Sequence, residues 1–330
     1  MNQEITELNI VISQMLTSAK LTEFRLKINK YQALHPFFIL KPDCYHIVEV
    51  IIFAFIKSVC AMITFPNAKI NTGLRILNRR NDGFHSIETI MYPIGLCDAL
   101  EIVPADDFGF CVTGFDLEGD QENNLCVKAY KLMHQRYGLA PVHMHLHKNI
   151  PTGAGLGGGS SDAVFTLKLL RRIFKLKFCG SEFDEMAKLL GSDCNFFVSN
   201  QPSLCTGRGE LVKPVSFSLK NWHLLLIKPP FSIPTALAYA MVMPSGKALP
   251  VDQDFLADPD LWKDWMVNDF EHCLIEKYPV LAEIREKLFS LGASHVSLSG
   301  SGSAMFGLFK EKPESTELFR DMFVWEEKLT

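Results

Sequence analysis

The chain has little that would draw it to nucleic acid or to an anionic membrane. Its 33 Lys and Arg are outnumbered by 37 Asp and Glu, for a net charge of −4, and both surfaces favour partners with a basic excess. It has no Cys-x-x-Cys pair. Its nine cysteines are scattered and odd in number, which argues against a zinc ribbon or a disulfide framework and suits reduced thiols in the cytoplasm. It also lacks a long apolar run. The most apolar stretch, residues 47–56, contains Glu49 and ends at Lys57. That is about half the roughly 20 residues needed to span a bilayer. Met1 to Lys20 is polar and amphipathic rather than leader-like.

Residues 1–61 lack glycine altogether and carry two prolines, Pro36 and Pro42. From Met62 onward the text changes to short apolar runs separated by turns. The expectation is that the natural protein begins at Met62 and that residues 1–61 are upstream sequence outside the fold. The rival reading is a genuine helical extension. The whole chain has 330 residues, 48% hydrophobic and 21% charged, the balance of a globular protein with room for about two domains.

Strands are predicted at Ile63–Phe65, Thr72–Leu77, Ile87–Tyr92 and Ala99–Val103, with the hairpin signal Asp82-Gly83 between the second and third. Helical spacing covers Asn124–Tyr137, and strict alternation makes Val142–His147 a strand. A helix capped by Ser160 or Ser161 runs to Phe174, and one capped by Ser181 ends at Leu190 before Gly191. Trp222–Lys228 reads as a buried strand and residues 244–260 as a loop. Helices follow at Val267–Tyr278 and Val280–Leu291, then a strand-turn-strand unit over Val296–Phe309. Strands first and mixed elements later suggest α+β, with a boundary near 210–220. Domains are expected at 62–215 and 216–330.

Between the alternating strand and the amphipathic helix lies Pro151-Thr-Gly-Ala-Gly-Leu-Gly-Gly-Gly-Ser-Ser161. Glycines admit positive φ and close backbone approach. A helix starting there adds free N–H groups and its positive dipole end, so the segment reads as an anion nest for a triphosphate. It is not a P-loop, because Gly159 is followed by Ser160 and not by lysine. It is not a dinucleotide fingerprint either, because no acidic strand end follows at the required distance. His143, His145 and His147 share one strand face. A half-exposed polar face explains them better than a metal site.

The glycine segment resembles the second motif of the GHMP kinase superfamily, and Leu298-Ser-Gly-Ser-Gly-Ser303 resembles the third. Pro66-Asn-Ala-Lys-Ile-Asn71, Arg80-Asn-Asp-Gly-Phe-His-Ser-Ile-Glu-Thr89 and Leu190-Gly-Ser-Asp-Cys-Asn-Phe-Phe197 narrow the likeness. They resemble the family within it that phosphorylates the 2-hydroxyl of 4-diphosphocytidyl-2-C-methyl-D-erythritol, an isoprenoid precursor. The likeness implies the two-domain GHMP fold, a ribosomal-protein-S5-like N-terminal domain followed by an α+β C-terminal domain.

It also implies ATP as phosphoryl donor, with Mg2+ carried on the phosphates and Ser160 or Ser161 as a candidate ligand. Lys69 and Asp193 would be the catalytic pair. ATP would contact Pro151, Gly153, Ala154, Gly155, Leu156, Gly157, Gly158, Gly159, Ser160 and Ser161, with Lys148 and Asn124 near the adenine. Asn71, Phe84, His85, Thr235 and Tyr239 would contact the substrate, the aromatic residues around its cytosine. Phe84 replaces the family's usual tyrosine, and Asn195 stands where many relatives have proline. A cytoplasmic monomer or weak homodimer is expected, without nucleic-acid or membrane partners. Two alternatives stay open: a superfamily kinase acting on homoserine, mevalonate or a sugar, and a non-catalytic nucleotide-binding protein on the same fold.

Overall fold

A computed structural model describes residues 62–116, 120–249, 258–314 and 317–330. The expectation for residues 1–61, and part of that for the 244–260 loop, lie outside these. The strands form three four-stranded sheets. The first, in the order β1-β4-β6-β5, comprises β1 (Ile63–Thr64), β4 (Ala99–Pro104), β5 (Gly109–Gly114) and β6 (Val142–Lys148). The second is β2 (Asn67–Arg79), β3 (His85–Cys97), β7 (Ser203–Thr206) and β8 (Leu211–Pro214). The third, in the order β10-β11-β9-β12, comprises β9 (His223–Lys228), β10 (His295–Leu298), β11 (Met305–Phe309) and β12 (Phe323–Lys328). Among these strands all pairings are antiparallel except β5 with β6. The helices are α1 (Leu125–Tyr137), α2 (Gly158–Ile173), α3 (Gly180–Leu190), α4 (Cys194–Ser199), α5 (Thr235–Met241), α6 (Trp262–Trp265), α7 (Glu271–Lys277) and α8 (Val280–Ser290). The mixture is α+β, and none of the described helices is long and apolar enough to cross a membrane.

Strand β2 shows how the sheet presents polar groups to the site. Ala68 and Ile70 enter an apolar cluster with Leu224, Leu226, Trp265 and Phe306. Side chains alternate along a strand, so Lys69 and Asn71 point the other way. A register shift between Thr72 and Leu74 brings Gly73 to φ +80°, where an added Cβ would lie 2.9 Å from the Trp265 carbonyl oxygen. The Asp82-Gly83 turn closes the β2–β3 hairpin as the sequence indicates, with Arg79 opposite His85. The apolar run of β9 is explained by burial on both faces. Leu224 and Leu226 join the cluster just named, while Leu225 and Ile227 join Leu74, Phe270, Leu281 and Phe309.

Three local expectations are corrected. Helix α2 starts at Gly158 with Gly157 at its N-cap and no side-chain cap, so neither Ser160 nor Ser161 caps it. Ser181 lies inside α3, whose cap position is Cys179. The helix expected from Val267 begins at Glu271, because Val267 and Asp269 instead exchange backbone hydrogen bonds with Leu74. That competing edge pairing cannot be seen in helical spacing.

Leu226 is fully buried and Leu211 is 54% exposed. Leu226→Ala is expected to lose about 2–5 kcal/mol by urea unfolding, and Leu211→Ala about 0.5 kcal/mol or less. His295, at the start of β10, is buried beside Phe306, and burial holds its imidazole down at about 4. The unfolded chain therefore binds this proton at higher pH than the folded one. Stability from this group is present above its unfolded value near 6.5 and is lost as pH falls toward 4, by about 3 kcal/mol. A His295→Leu variant should show a shallower loss of stability between those pH values.

Candidate active site

The glycine segment folds as a ribbon pressed against the third-motif turn. Gly155 has φ +75°, and a Cβ there would fall 1.9 Å from the Ser299 carbonyl oxygen, so only glycine fits. Ser303 and Ala304 donate their backbone N–H groups to Gly153 and Ala154, and the Ser299 hydroxyl donates to the Gly155 carbonyl at 3.0 Å. Asn268 holds that turn from behind by donating to the Leu298 and Gly300 carbonyls, each at 2.8 Å. At the other end of the ribbon α2 begins without a side-chain cap, so its first N–H groups stay available to an anion.

Lys69 lies under this ribbon and is 2% exposed. Its ammonium donates to Asn71 Oδ1 and, at 2.8 Å, to the Gly155 carbonyl. It stands 3.6 Å from Asp193 Oδ2. Burial pulls Lys69 below its ordinary value, and Asp193 opposes that pull. Asp193 occupies the N-cap position of α4, but its side chain makes no cap hydrogen bond. Its carboxylate, about a third exposed, faces Lys69. Asn71 is fixed in turn, donating to the Thr89 hydroxyl at 2.8 Å.

One cleft of about 440 Å³ is lined by Lys69, Asn71, Asn124, Lys148, Asp193, Thr235 and Tyr239, and by Pro151 and the ribbon from Gly153 to Ser160. Ser161 does not reach it. Its hydroxyl is buried inside α2 without a partner, so of these two serines Ser160 lines the cleft. Lys148 is also less free than expected. Its ammonium is held by Asp98 and, at 2.8 Å, by Asp162, both fully or nearly buried. Burial works against the Lys148 charge, but Asp162 and Asp98 outweigh it and raise the lysine. Asn124 caps α1 by accepting from the Cys126 N–H, and borders a second cleft of about 520 Å³ lined by Phe110, Val112 and Leu125.

Of the expected aromatic residues Tyr239 lines the main cleft, while Phe84 and His85 lie outside its lining. His85 stacks on Tyr239 with centroids 5.0 Å apart, and Tyr239 meets Phe270 edge-on. Burial, then Asp193, pushes the Tyr239 phenol up to about 12. Phe84 is 54% exposed, and the Arg208 guanidinium lies 4.9 Å over its ring. The Thr235 hydroxyl is 3.2 Å from that of Ser301.

Sequence reading missed Arg208, which lines the cleft. Its only signal was an arginine between two glycines, Gly207 and Gly209. It also missed Asp98 and Asp162, for which only the contact with Lys148 speaks. Thr113 bridges His145 and His147 at 2.9 Å each, and no group of three or more His, Cys, Asp or Glu suited to a metal occurs among the described residues.

Residues 124–201 match the GHMP kinases N terminal domain and residues 253–323 the GHMP kinases C terminal domain. A 4-diphosphocytidyl-2-C-methyl-D-erythritol kinase from Parabacteroides distasonis is 44% identical over 272 residues, covering 82% of this chain and all of that protein. Its counterpart from Cytophaga hutchinsonii is 45% identical over 256 residues, 77% of this chain and 94% of that one. A crystal structure of 4-(cytidine 5'-diphospho)-2C-methyl-D-erythritol kinase superposes with a TM-score of 0.69 at 32% identity, over 80% of this chain and 98% of that one. Methanococcus jannaschii mevalonate kinase, at 14% identity and a TM-score of 0.55, shares the fold. With this identity running over nearly the whole length of its relatives, the chain belongs to the 4-diphosphocytidyl-2-C-methyl-D-erythritol kinase family of the GHMP kinases.

Proposed function

We propose that this chain transfers the γ-phosphoryl group of ATP to the 2-hydroxyl of 4-diphosphocytidyl-2-C-methyl-D-erythritol. The observation that carries the reading is the Lys69–Asp193 pair, 3.6 Å apart, at the foot of the glycine ribbon. Phosphoryl transfer asks a protein mainly for positioning and charge stabilisation. Asp193 accepts the proton of the attacking hydroxyl as the oxygen–phosphorus bond forms, and the bond from the γ-phosphorus to the bridging oxygen breaks to release ADP. The adjacent ammonium of Lys69 holds the transferring oxygens beside that carboxylate. The free N–H groups at the start of α2 and the ribbon cradle the phosphates.

Ser160 and Asp193 are among the oxygen donors that line the cleft. They suit Mg2+ that arrives on the ATP phosphates, as this ion keeps much of its shell from phosphate and water. When bound, Mg2+ neutralises charge on the β- and γ-phosphates. Adenine suits the second cleft, with Asn124 at the junction. The apolar walls Phe110, Val112 and Leu125 support this placement. Lys148 then acts on the nucleotide through the ribbon floor. On the acceptor side, the cytosine has Phe84 and Tyr239 as stacking faces and His85 for its edge. Phe84 supplies a ring face without a phenol hydroxyl. The 5.0 Å stack of His85 on Tyr239 must open to admit the base. Arg208 offers a cation to the acceptor diphosphate.

The two family matches fall on either side of a boundary at 215/216, which supports domains at 62–215 and 216–330. The cysteines among the described residues are free, which suits a cytoplasmic enzyme.

A coupled ADP-release assay over this acceptor, homoserine and mevalonate tests the substrate assignment. Turnover confined to homoserine or mevalonate would overturn it. Asp193→Asn should leave ATP affinity nearly intact and lower kcat by roughly 10²–10⁴. More than about a tenth of wild-type turnover would remove Asp193 from its role. Gly157 has φ +71°, and a Cβ there would crowd Phe197 and Lys69 at 3.0 and 3.1 Å. Gly157→Val should therefore weaken ATP binding by about ten-fold or more in calorimetry, because a β-branched residue resists that conformation.

A further inference from the structure

We propose that Asn195 is a positioning residue for the acceptor: its side-chain amide ties the turn that carries Arg208 to the helix that carries Asp193. The proposal rests on the acceptor reading given above. Asn195 is the second residue of α4, two positions after Asp193, and is 8% exposed. Its Nδ2 donates to the Glu210 carbonyl at 3.1 Å. Its Oδ1 is buried without a partner, so the donated bond is what anchors the amide.

The turn it holds joins β7 to β8 and is stiff in itself. Gly209 donates to the Thr206 carbonyl at 3.0 Å, and the Glu210 carboxylate accepts from the Arg208 N–H at 2.6 Å. Two ties outside the hairpin fix where this unit sits. The Ile87 N–H donates to the Gly207 carbonyl at 2.8 Å, which sets the turn against β3 near Phe84 and His85. Asn195 sets it against α4, so that the Cβ position of Gly209 is 3.4 Å from Asp193 Oδ1. The first tie places Arg208 relative to the aromatic residues. The second places it relative to the carboxylate. An acceptor that reaches from Phe84 to Asp193 needs both. Proline, common at this position in the family the sequence resembles, has no amide to give, so this tie is a property of this chain.

A double-mutant cycle on the full chain tests the idea, with acceptor and ATP affinities read separately by calorimetry and kcat by the coupled assay. Asn195→Ala should weaken the acceptor by about three- to ten-fold, the scale of one net hydrogen bond. ATP affinity should stay unchanged and kcat should change less than acceptor affinity. Asn195→Pro, tolerated in the first turn of a helix, should do the same and guards against a folding defect in the alanine variant. Arg208→Ala should weaken the acceptor at least as much. Adding Asn195→Ala to it should then cost almost nothing further, because the amide acts through the arginine. Additive losses in an active enzyme would overturn the proposal alone, as would an equal loss of ATP affinity. A wild-type chain that neither binds nor phosphorylates the acceptor would overturn the functional reading, and the positioning role with it.

Discussion

The buried ammonium of Lys69 is the constraint around which the site is arranged. An unpaired ammonium this deep would be costly, and each of its partners comes from a different part of the chain. Asn71 belongs to the same strand, the Gly155 carbonyl to the glycine ribbon, and Asp193 to the start of α4. Satisfying one charge thus fixes the distance between ribbon, strand and carboxylate. Burial pulls Lys69 below its ordinary value, and Asp193 works against that pull. The pair is therefore mutually dependent. The carboxylate supports the lysine's charge, and it faces the lysine instead of capping its own helix.

The ribbon is equally dependent on the C-terminal part of the chain. Its carbonyls at Gly153 and Ala154 accept from Ser303 and Ala304, and its tightest approach is to the Ser299 carbonyl. Ser299 also receives the Asn71 N–H at 3.3 Å on its hydroxyl. The third motif thus acts as a backing plate, holding the second motif at the height where Lys69 can reach Gly155. Two motifs separated by well over a hundred residues belong to one hydrogen-bonded unit.

Much of this was legible in the sequence, for identifiable reasons. Glycine spacing marks backbone that must approach something closely, and alternation places Lys69 and Asn71 on one face. The Asp82-Gly83 hairpin and the β9 run were likewise read from local chemistry. What escaped depends on partners remote in sequence. The start of α2 was misjudged because serine is a good cap, while the ribbon brings the helix in at Gly157 instead. Strands β5, β7, β8 and β12 carry few alternating positions of their own and form because a neighbouring edge is available. Arg208 is invisible as a site residue until Gly207 is seen bonded to β3 and Asn195 to the same turn. Asp98 could not be found at all without the fold, since nothing near it in sequence hints at Lys148.

That last cluster has a consequence for the phosphate site. Two buried carboxylates, Asp98 and Asp162, share the single ammonium of Lys148 beneath the ribbon. If both were ionised, an uncompensated negative charge would lie within the first turns of α2, where the phosphates need a positive field. The surroundings treat the two differently. Asp98 accepts the backbone N–H groups of Asn149 and Ile150 as well as the lysine, three donors in all. Asp162 has one oxygen without any partner, and burial raises it well above the carboxylate range despite the pull of Lys148. Burial therefore works against a second anion at Asp162, beside the N-terminal end of α2 where the phosphates need a positive field.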